Sequence, residues 1–543
     1  MLIDFAKLEP DSEISTDVCV IGSGAAGITL ALELDGSGHD VVLLTGGDAN
    51  YNADCQELYR SRVVGLKHEG IYTGRARVHG GTTTLWAGQA LPFDPIDFEQ
   101  REWVAHSGWP FSIRTLEPYY SRAERILKIE PMTYEERSWP PNLPKPPRFD
   151  PNIFHCRISQ FSNHANFAIS YRDRLASSSN VRVVMSAHAV GLVTDPLSSR
   201  VERVDVKSLA GRSATVRASQ VVVCCGAIET ARLLLASDAV DPRGLGNAHD
   251  LVGRYFQEHI QGRTAIIQTA EPVKLRALFD TISYRGTRYS PRFCSTAAFQ
   301  RNERILNVSG GICYEIPEDS ALEGAKLLVR ALKRKELRSG ITRAVWNVAR
   351  RPHDIALAVT NYALHHTPMT DKRGPILLGV MTEQEPNPSS RVLLGEERDT
   401  LGMRRSILDW RLTALDRRSL ITLVEVSARE FRRLGLGTID PSSVSIPEDL
   451  SQMDRTFFDC SHHMGTTRMH RDPRHGVVDA DCRVHGVGNL FVGSSSVFPT
   501  GGSSNPTLTI IALCLRIADL LKRELAPRPI ATISEDVSRI PAG

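Results

Sequence analysis

Asp17-Val-Cys-Val-Ile-Gly22-Ser-Gly24-Ala-Ala-Gly27-Ile-Thr-Leu-Ala-Leu-Glu-Leu34 runs from a short apolar segment, through three glycines, into helix-like sequence. After Gly38 a second strand-length run, Val41-Val-Leu-Leu44, follows. This is GxGxxG in the setting it requires: strand, tight turn, helix, strand. Glycine allows the tight turn, and the helix start offers amide donors and a positive dipole end to a pyrophosphate. The stretch predicts an α/β dinucleotide-binding fold with Gly22, Ser23, Gly24, Ala25, Ala26 and Gly27 around the phosphates. By itself the pattern also fits a glycine-rich strand–helix turn in another α/β protein. The acid that would hold the adenosine ribose belongs about 20 residues on, at the end of the second strand. Thr45 stands there, 23 positions after Gly22. Its hydroxyl can make one hydrogen bond where a carboxylate makes two.

Working outward, 543 residues suggest about two to four domains. At 41% hydrophobic and 23% charged, the chain can bury a large core, which excludes wholesale disorder. The balance of 65 Lys+Arg against 62 Asp+Glu gives no electrostatic reason to expect nucleic acid. Ten unpatterned cysteines, with no CxxC pair, fit a reducing compartment. The first residues lack a basic and then apolar signal pattern, and the apolar segment 507–521 is broken by Arg516 and Asp519. A soluble cytoplasmic enzyme is expected. Residues 139–151 carry six prolines and read as an ordered loop or lid. Residues 324–352 hold nine basic residues against one acid, Glu336, with Leu327, Leu328, Ala331 and Leu332 at helical spacing. That segment is either a solvated helical insert or a contact for an anionic membrane surface or a protein partner.

Further segments decide which dinucleotide is bound. Arg75-Ala-Arg-Val-His-Gly80-Gly81-Thr82-Thr-Thr-Leu85-Trp86-Ala87-Gly is a second glycine-rich loop. Val221-Val-Val-Cys-Cys-Gly226-Ala-Ile-Glu-Thr-Ala-Arg-Leu-Leu-Leu235 reads as another strand and helix, and Asn247–His259 follows. Near the end come Cys460-Ser-His462-His463-Met-Gly465-Thr466-Thr-Arg-Met469, Gly476–Asp479, Asn489–Thr500 and Asn505-Pro506-Thr507. In this order the segments resemble the glucose–methanol–choline (GMC) family of FAD-dependent oxidoreductases, and most closely its branch of pyranose oxidases and fructose and glycoside dehydrogenases. The resemblance implies FAD contacts at Gly22–Gly27, Thr45, Gly80, Gly81, Thr82, Trp86, Ala87, Gly226, Ser494, Asn505, Pro506 and Thr507. Relatives that tether FAD covalently have a histidine where Leu85 stands, so noncovalent FAD is expected. Gly493-Ser494-Ser495 replaces the family's common Ala-Asp-Ala, leaving Ser494 for the aspartate's contact.

The same resemblance implies catalysis by His462, the first residue of the HxxGT pattern, and by Asn505. His462 would take the hydroxyl proton, since a histidine becomes a base near neutrality after a modest shift. Asn505 would hold the substrate oxygen in line with the hydride acceptor at flavin N5. His463 reads as a packed or solvated bystander. Asn505 followed by Pro506 is also a good helix N-cap with proline at the first position. A helix starting there would aim its positive end at the charge developing on the reduced flavin. Gln384, in Glu383-Gln-Glu-Pro-Asn387, is a candidate substrate-binding residue beside His462 and Asn505; Asn387 and His366 are weaker candidates, and Gln384 reads equally as an ordinary strand residue. His462, His463, His470, His475 and His485 with Asp472 match no standard zinc spacing, so no metal is expected.

The expected architecture is α/β: a Rossmann-like FAD-binding domain (1–105, 186–262 and 450–530) interleaved with an α+β substrate domain (106–185 and 263–449) on a mostly antiparallel sheet. The last dozen residues read as a loose tail. The expected reaction is oxidation of a CH–OH group of a sugar or glycoside to a carbonyl, an EC 1.1 type activity, with electrons passing to dioxygen or another acceptor. A non-sugar alcohol on a lipid or natural product is the alternative. A non-redox lyase, a light-driven relative or an inactive flavin-binding protein stands further off.

Overall fold

A computed structural model describes residues 1–525 apart from 142–143, 335–339, 366–368 and 453–455. His366 and the expected loose tail therefore lie outside the described residues, the tail entirely. Val18 to Ile21 and Val41 to Leu44 are buried throughout, as central parallel strands with both faces covered must be. They belong to an eight-stranded sheet in the order Leu2–Asp4, Val181–Met185, Val41–Leu44, Ser12–Ile21, Ser213–Val223, Val201–Lys207, His188–Thr194, with Leu490–Val492 also on Ser213–Val223. Pairing is parallel except along Val201–Lys207, which pairs antiparallel with both neighbours. Val181–Met185 was grouped with the substrate part above. It instead pairs parallel with Val41–Leu44, and its three valines, Val181, Val183 and Val184, are all buried in that sheet's core.

Gly22 has φ +106°, and a Cβ there would lie 2.6 Å from the Cys224 carbonyl oxygen; a Cβ on Gly27 would lie 1.8 Å from that of Gly22. The turn thus closes only with glycine at both places. Helix Ala25–Leu34 follows with almost all its residues buried, and helix Thr507–Glu524 packs beside it. The apolar face predicted for the last helix, from Leu508 through Ile511, Ala512, Leu515 and Ala518 to Leu521, is buried.

A nine-stranded sheet forms the second layer. Its order is Thr438–Ile439, Ile260–Gln268, Ile376–Thr382, Val308–Tyr314, Thr287–Ser295, Phe154–Phe161, Gln89–Ala90, with Ile282–Tyr284 and Phe457–Asp459 at its margins. Every pairing in it is antiparallel. Helix Ala414–Arg433 packs on this sheet, and Phe149, Phe279, Phe293 and Phe431 cluster between them. Phe149 comes from the proline-rich stretch. Phe149 thus ties the described part of that stretch to the second core. The ten cysteines are free thiols. Among the described residues no helix is long and apolar enough to cross a membrane.

Candidate active site

A cavity of about 790 Å³ opens where the two glycine-rich loops meet the C-terminal segment. Its wall takes in Gly22 to Ala26, Thr45, Gly81, Thr82, Leu85, Trp86, Gly226, His462, His463, Ser494, Pro506 and Thr507. The sequence-predicted residues Gly27, Gly80, Ala87, Asn505 and Gln384 are not part of that wall. Gly27 lies in helix Ala25–Leu34, packed against the Gly22 carbonyl, and Gly80 forms a turn at φ +89°. Ala87 faces outward, with its carbonyl accepting from Arg288.

The cavity fits a dinucleotide. Nothing lies within 4 Å of where a Cβ on Gly24 would sit, so a ligand can approach that backbone closely. Gly24 caps helix Ala25–Leu34 with no side-chain bond, leaving its first amides for an anion, and the buried Ser23 hydroxyl has no partner among the described residues. Thr45 is buried in the wall, and among the described residues its hydroxyl has hydrogen-bond contacts only with Gly47, at 3.5 Å. The volume falls within the range of ordinary cofactor clefts, about 300–1,000 Å³.

The second glycine loop is held by a buried ion cluster that sequence reading missed. Arg75 and Arg77 donate to Glu229 at 2.9 and 3.3 Å, and Arg232 bridges Glu229 to Asp399 at 3.3 and 2.6 Å. Burial alone would raise the Glu229 carboxyl, but Arg232, Arg75 and Arg77 together hold it down to about 2. Leu85 follows in this loop, 47% exposed on the cavity wall and offering only carbon.

His462 arrives through register. Strand Phe457–Asp459 pairs antiparallel with the start of Ile260–Gln268, matching Ile260 to Asp459, so residues 258–259 and 460–462 emerge side by side. Ser461 turns the chain in the left-handed region at φ +59°. Glu258 Oε1 then accepts the His462 backbone N–H at 2.7 Å and that of His259 at 2.8 Å. The two imidazoles meet through Nδ1 atoms 2.8 Å apart. His259 Nε2 faces the carbonyls of Gly502 and Gly501 at 2.9 and 3.2 Å and so carries a proton. Burial lowers His259 to about 4, so it is neutral near pH 7 and its Nδ1 is an acceptor. His462 must therefore donate from Nδ1. Its Nε2 lone pair, which makes no hydrogen bond among the described residues, remains available as a base. Burial first, then His259 and Arg292, hold the His462 ring well below the ordinary histidine range, which keeps it unprotonated.

His463 is buried between His68 and Phe256, with ring centroids 5.0 and 5.9 Å away. With His68 and Glu258 it forms a cluster of metal-ligand type. His68 Nδ1 accepts the Ile71 N–H at 3.0 Å, so its proton sits on Nε2 and points at Glu258 Oε2 at 3.2 Å. A donor aimed at a carboxylate has no lone pair for a cation. The cluster instead anchors the His462 loop.

Two expectations need correction. Gln384 spends its amide internally: Oε1 accepts from Glu258 N and Trp410 Nε1, each at 2.9 Å, and Nε2 donates to the Arg411 and Phe256 carbonyls. The strand end turns it into the core, away from the cavity. Asn505 is not a side-chain N-cap. Pro506 occupies the cap position of Thr507–Glu524, with its carbonyl accepting from Ile510, and Asn505 Oδ1 instead accepts from Arg292 Nη2 at 3.4 Å. Arg292 also donates to the Ser503 carbonyl at 3.4 Å, yet no carboxylate pairs with it among the described residues. Its cross-strand neighbour Arg157 is neutralised by Asp94 at 2.9 Å. Among the described residues Arg292 thus keeps an uncompensated positive charge beside Asn505.

The fold and the cavity define a dinucleotide-binding protein, and comparison with known proteins says which dinucleotide. Residues 17–245 match the family described as FAD dependent oxidoreductase, and residues 386–514 match GMC oxidoreductase. The chain thus carries an FAD dependent oxidoreductase region followed by a region like that of GMC oxidoreductases, and FAD is its cofactor. It is 25% identical to 6'''-hydroxyparomomycin C oxidase of Streptomyces lividus, over 94% of this chain and 92% of that protein. It is 23% identical to the fructose dehydrogenase large subunit of Gluconobacter japonicus, over 94% of this chain and 98% of that one. Pyridoxine 4-oxidase from Mesorbium loti shares the fold at TM-score 0.54 and 17% identity, covering 93% of this chain and 99% of that one.

Proposed function

We propose that this enzyme oxidises a CH–OH group of a sugar or glycoside to a carbonyl, with His462 as the base. The observation that carries the reading is the directed imidazole pair. The Gly501 and Gly502 carbonyls set the tautomer of His259, which sets that of His462 and leaves the Nε2 lone pair for the substrate hydroxyl. Relatives named for paromamine, hydroxyparomomycin and fructose support a polyhydroxylated substrate. FAD, held by Gly22–Ala26, Gly81, Thr82, Gly226 and Ser494, supplies the hydride acceptor. Asn505 orients the hydroxyl, and Arg292, in contact with Asn505, favours the alkoxide as the proton leaves. The start of helix Thr507–Glu524 lies on the cavity wall, so its positive end favours negative charge there.

The test is an assay of the purified holoenzyme, by oxygen uptake and with an artificial electron-accepting dye, against glycosides, aminoglycosides and apolar alcohols. Turnover with a glycoside or aminoglycoside is expected. Turnover confined to apolar alcohols would contradict the sugar reading.

Arg292→Met gives a distinct signature. Removing the positive charge lets the His462 pKa rise, so the acid limb of kcat/KM moves up toward 6.5. In the unchanged enzyme that limb lies well below 6.5, because only the neutral ring acts as base. A loss of about tenfold in kcat/KM accompanies the shift. An unmoved limb would remove Arg292 from the proton-transfer step.

A further inference from the structure

Between the neighbouring strands Val308–Tyr314 and Ile376–Thr382 the chain leaves the second sheet as three helices, Ala321–Arg334, Ile341–Arg350 and Pro352–His365, which pack on one another. The first two helices approach closely at Gly324, where a Cβ would lie 2.9 Å from the Ala344 carbonyl oxygen. Ala344 and Asn347 are buried at that contact, and Asn347 Nδ2 donates to the Glu318 carbonyl at 2.8 Å. Ion pairs Arg343–Glu318 and Arg351–Asp319 link the second helix and the residue after it to the segment that enters the insert.

The outward face is the reverse of an ordinary surface helix. On the middle helix Thr342, Val345, Trp346 and Ala349 form an exposed stripe at i, i+3, i+4 and i+7. Trp346 is 61% exposed, Leu332 on the first helix 79% and Leu357 on the third 62%; Val329, Val359 and Tyr362 are exposed with them. Elsewhere in the described chain exposed large apolar residues are mostly scattered, which is normal, whereas a cluster of this kind marks a contact surface. Charge says what the contact is. Residues 321–365, which span the three helices, hold nine Lys and Arg against three acids, Glu323, Glu336 and Asp354. The Arg350 guanidinium lies over the Trp346 ring, 5.5 Å from its centroid, so cation and interfacial aromatic share one edge.

We propose that this insert docks on an anionic lipid bilayer, with Trp346, Leu357 and their apolar neighbours entering the headgroup–acyl boundary and Arg350 beside Trp346 meeting lipid phosphates. No described helix is long and apolar enough to span a bilayer, so the insert lies on the surface. A protein partner would match the apolar stripe as well, but the one-sided charge favours a uniformly anionic surface.

The test is sedimentation of the full-length holoenzyme with vesicles of phosphatidylglycerol and phosphatidylcholine, and with phosphatidylcholine alone. The protein is expected to pellet with the first and stay in solution with the second, and to be released as salt rises. The double variant Trp346→Ser, Leu357→Ser should weaken partition by about tenfold or more, with flavin absorbance and Tm unchanged as the control on folding. No partition into either vesicle, or equal partition into both that the variant leaves untouched, would overturn the proposal. Self-association that the double variant abolishes, without vesicle binding, would reassign the face to a protein contact and overturn it as well.

Discussion

His462→Gln is expected to lower kcat for alcohol oxidation by about 10²–10⁴, the usual worth of a positioned general base. FAD content should stay at its unchanged level, because Glu258 holds the loop through the His462 backbone N–H, which the substitution keeps. The glutamine amide can occupy the place of the ring but accepts no proton near neutrality. Steady-state rates at matched flavin absorbance check this. Retention of more than about a tenth of the rate would take the proton away from His462.

His259→Phe carries the second large effect, about 10²-fold in kcat with little change in KM. Phenylalanine preserves a buried ring but offers no acceptor to His462 Nδ1, so the catalytic ring loses the bond that sets its tautomer and its aim. His259 is a positioning residue, and two readouts separate that role from general damage. His259→Gln, whose amide can donate to the Gly502 carbonyl and accept from His462, should recover part of the rate. The double variant His259→Phe, His462→Gln should be scarcely slower than His462→Gln alone, since the two residues act as a unit. Additive losses would mean that His259 matters only for packing.

These residues show where sequence reading carries and where it stops. The Gly22–Gly27 turn was legible because its chemistry is contiguous: strand, glycines and helix lie within one short run, and steric demands at Gly22 and Gly27 leave no other residue possible. The last helix was legible from its single apolar face. His259 lies at the end of the Asn247–His259 segment, yet no role could be read for it. Its partner is 203 positions away and reaches it only through the pairing of Ile260 with Asp459. Arg292 was invisible for the same reason: what distinguishes it is that no carboxylate pairs with it among the described residues, which is a property of the folded neighbourhood. Gln384 misled because a polar residue near a strand end looks accessible, whereas here backbone and indole groups of the core consume both ends of its amide. Asn505 failed as a cap because Pro506 itself adopts helical geometry, shifting the helix start by one residue and freeing the side chain for Arg292.

Leu85 gives the cofactor prediction its sharpest form, since a carbon-only side chain occupies the position used for tethering and lines the cavity wall. The measurement that tests the account most directly is anaerobic addition of glycosides to the yellow holoenzyme, followed by denaturation of a parallel sample. The account predicts that a glycoside bleaches the flavin band in the dark, and that denaturation releases free FAD from the chain. A band that no glycoside bleaches would contradict the proposed activity, and colour that stays on the denatured chain would contradict noncovalent binding at Leu85.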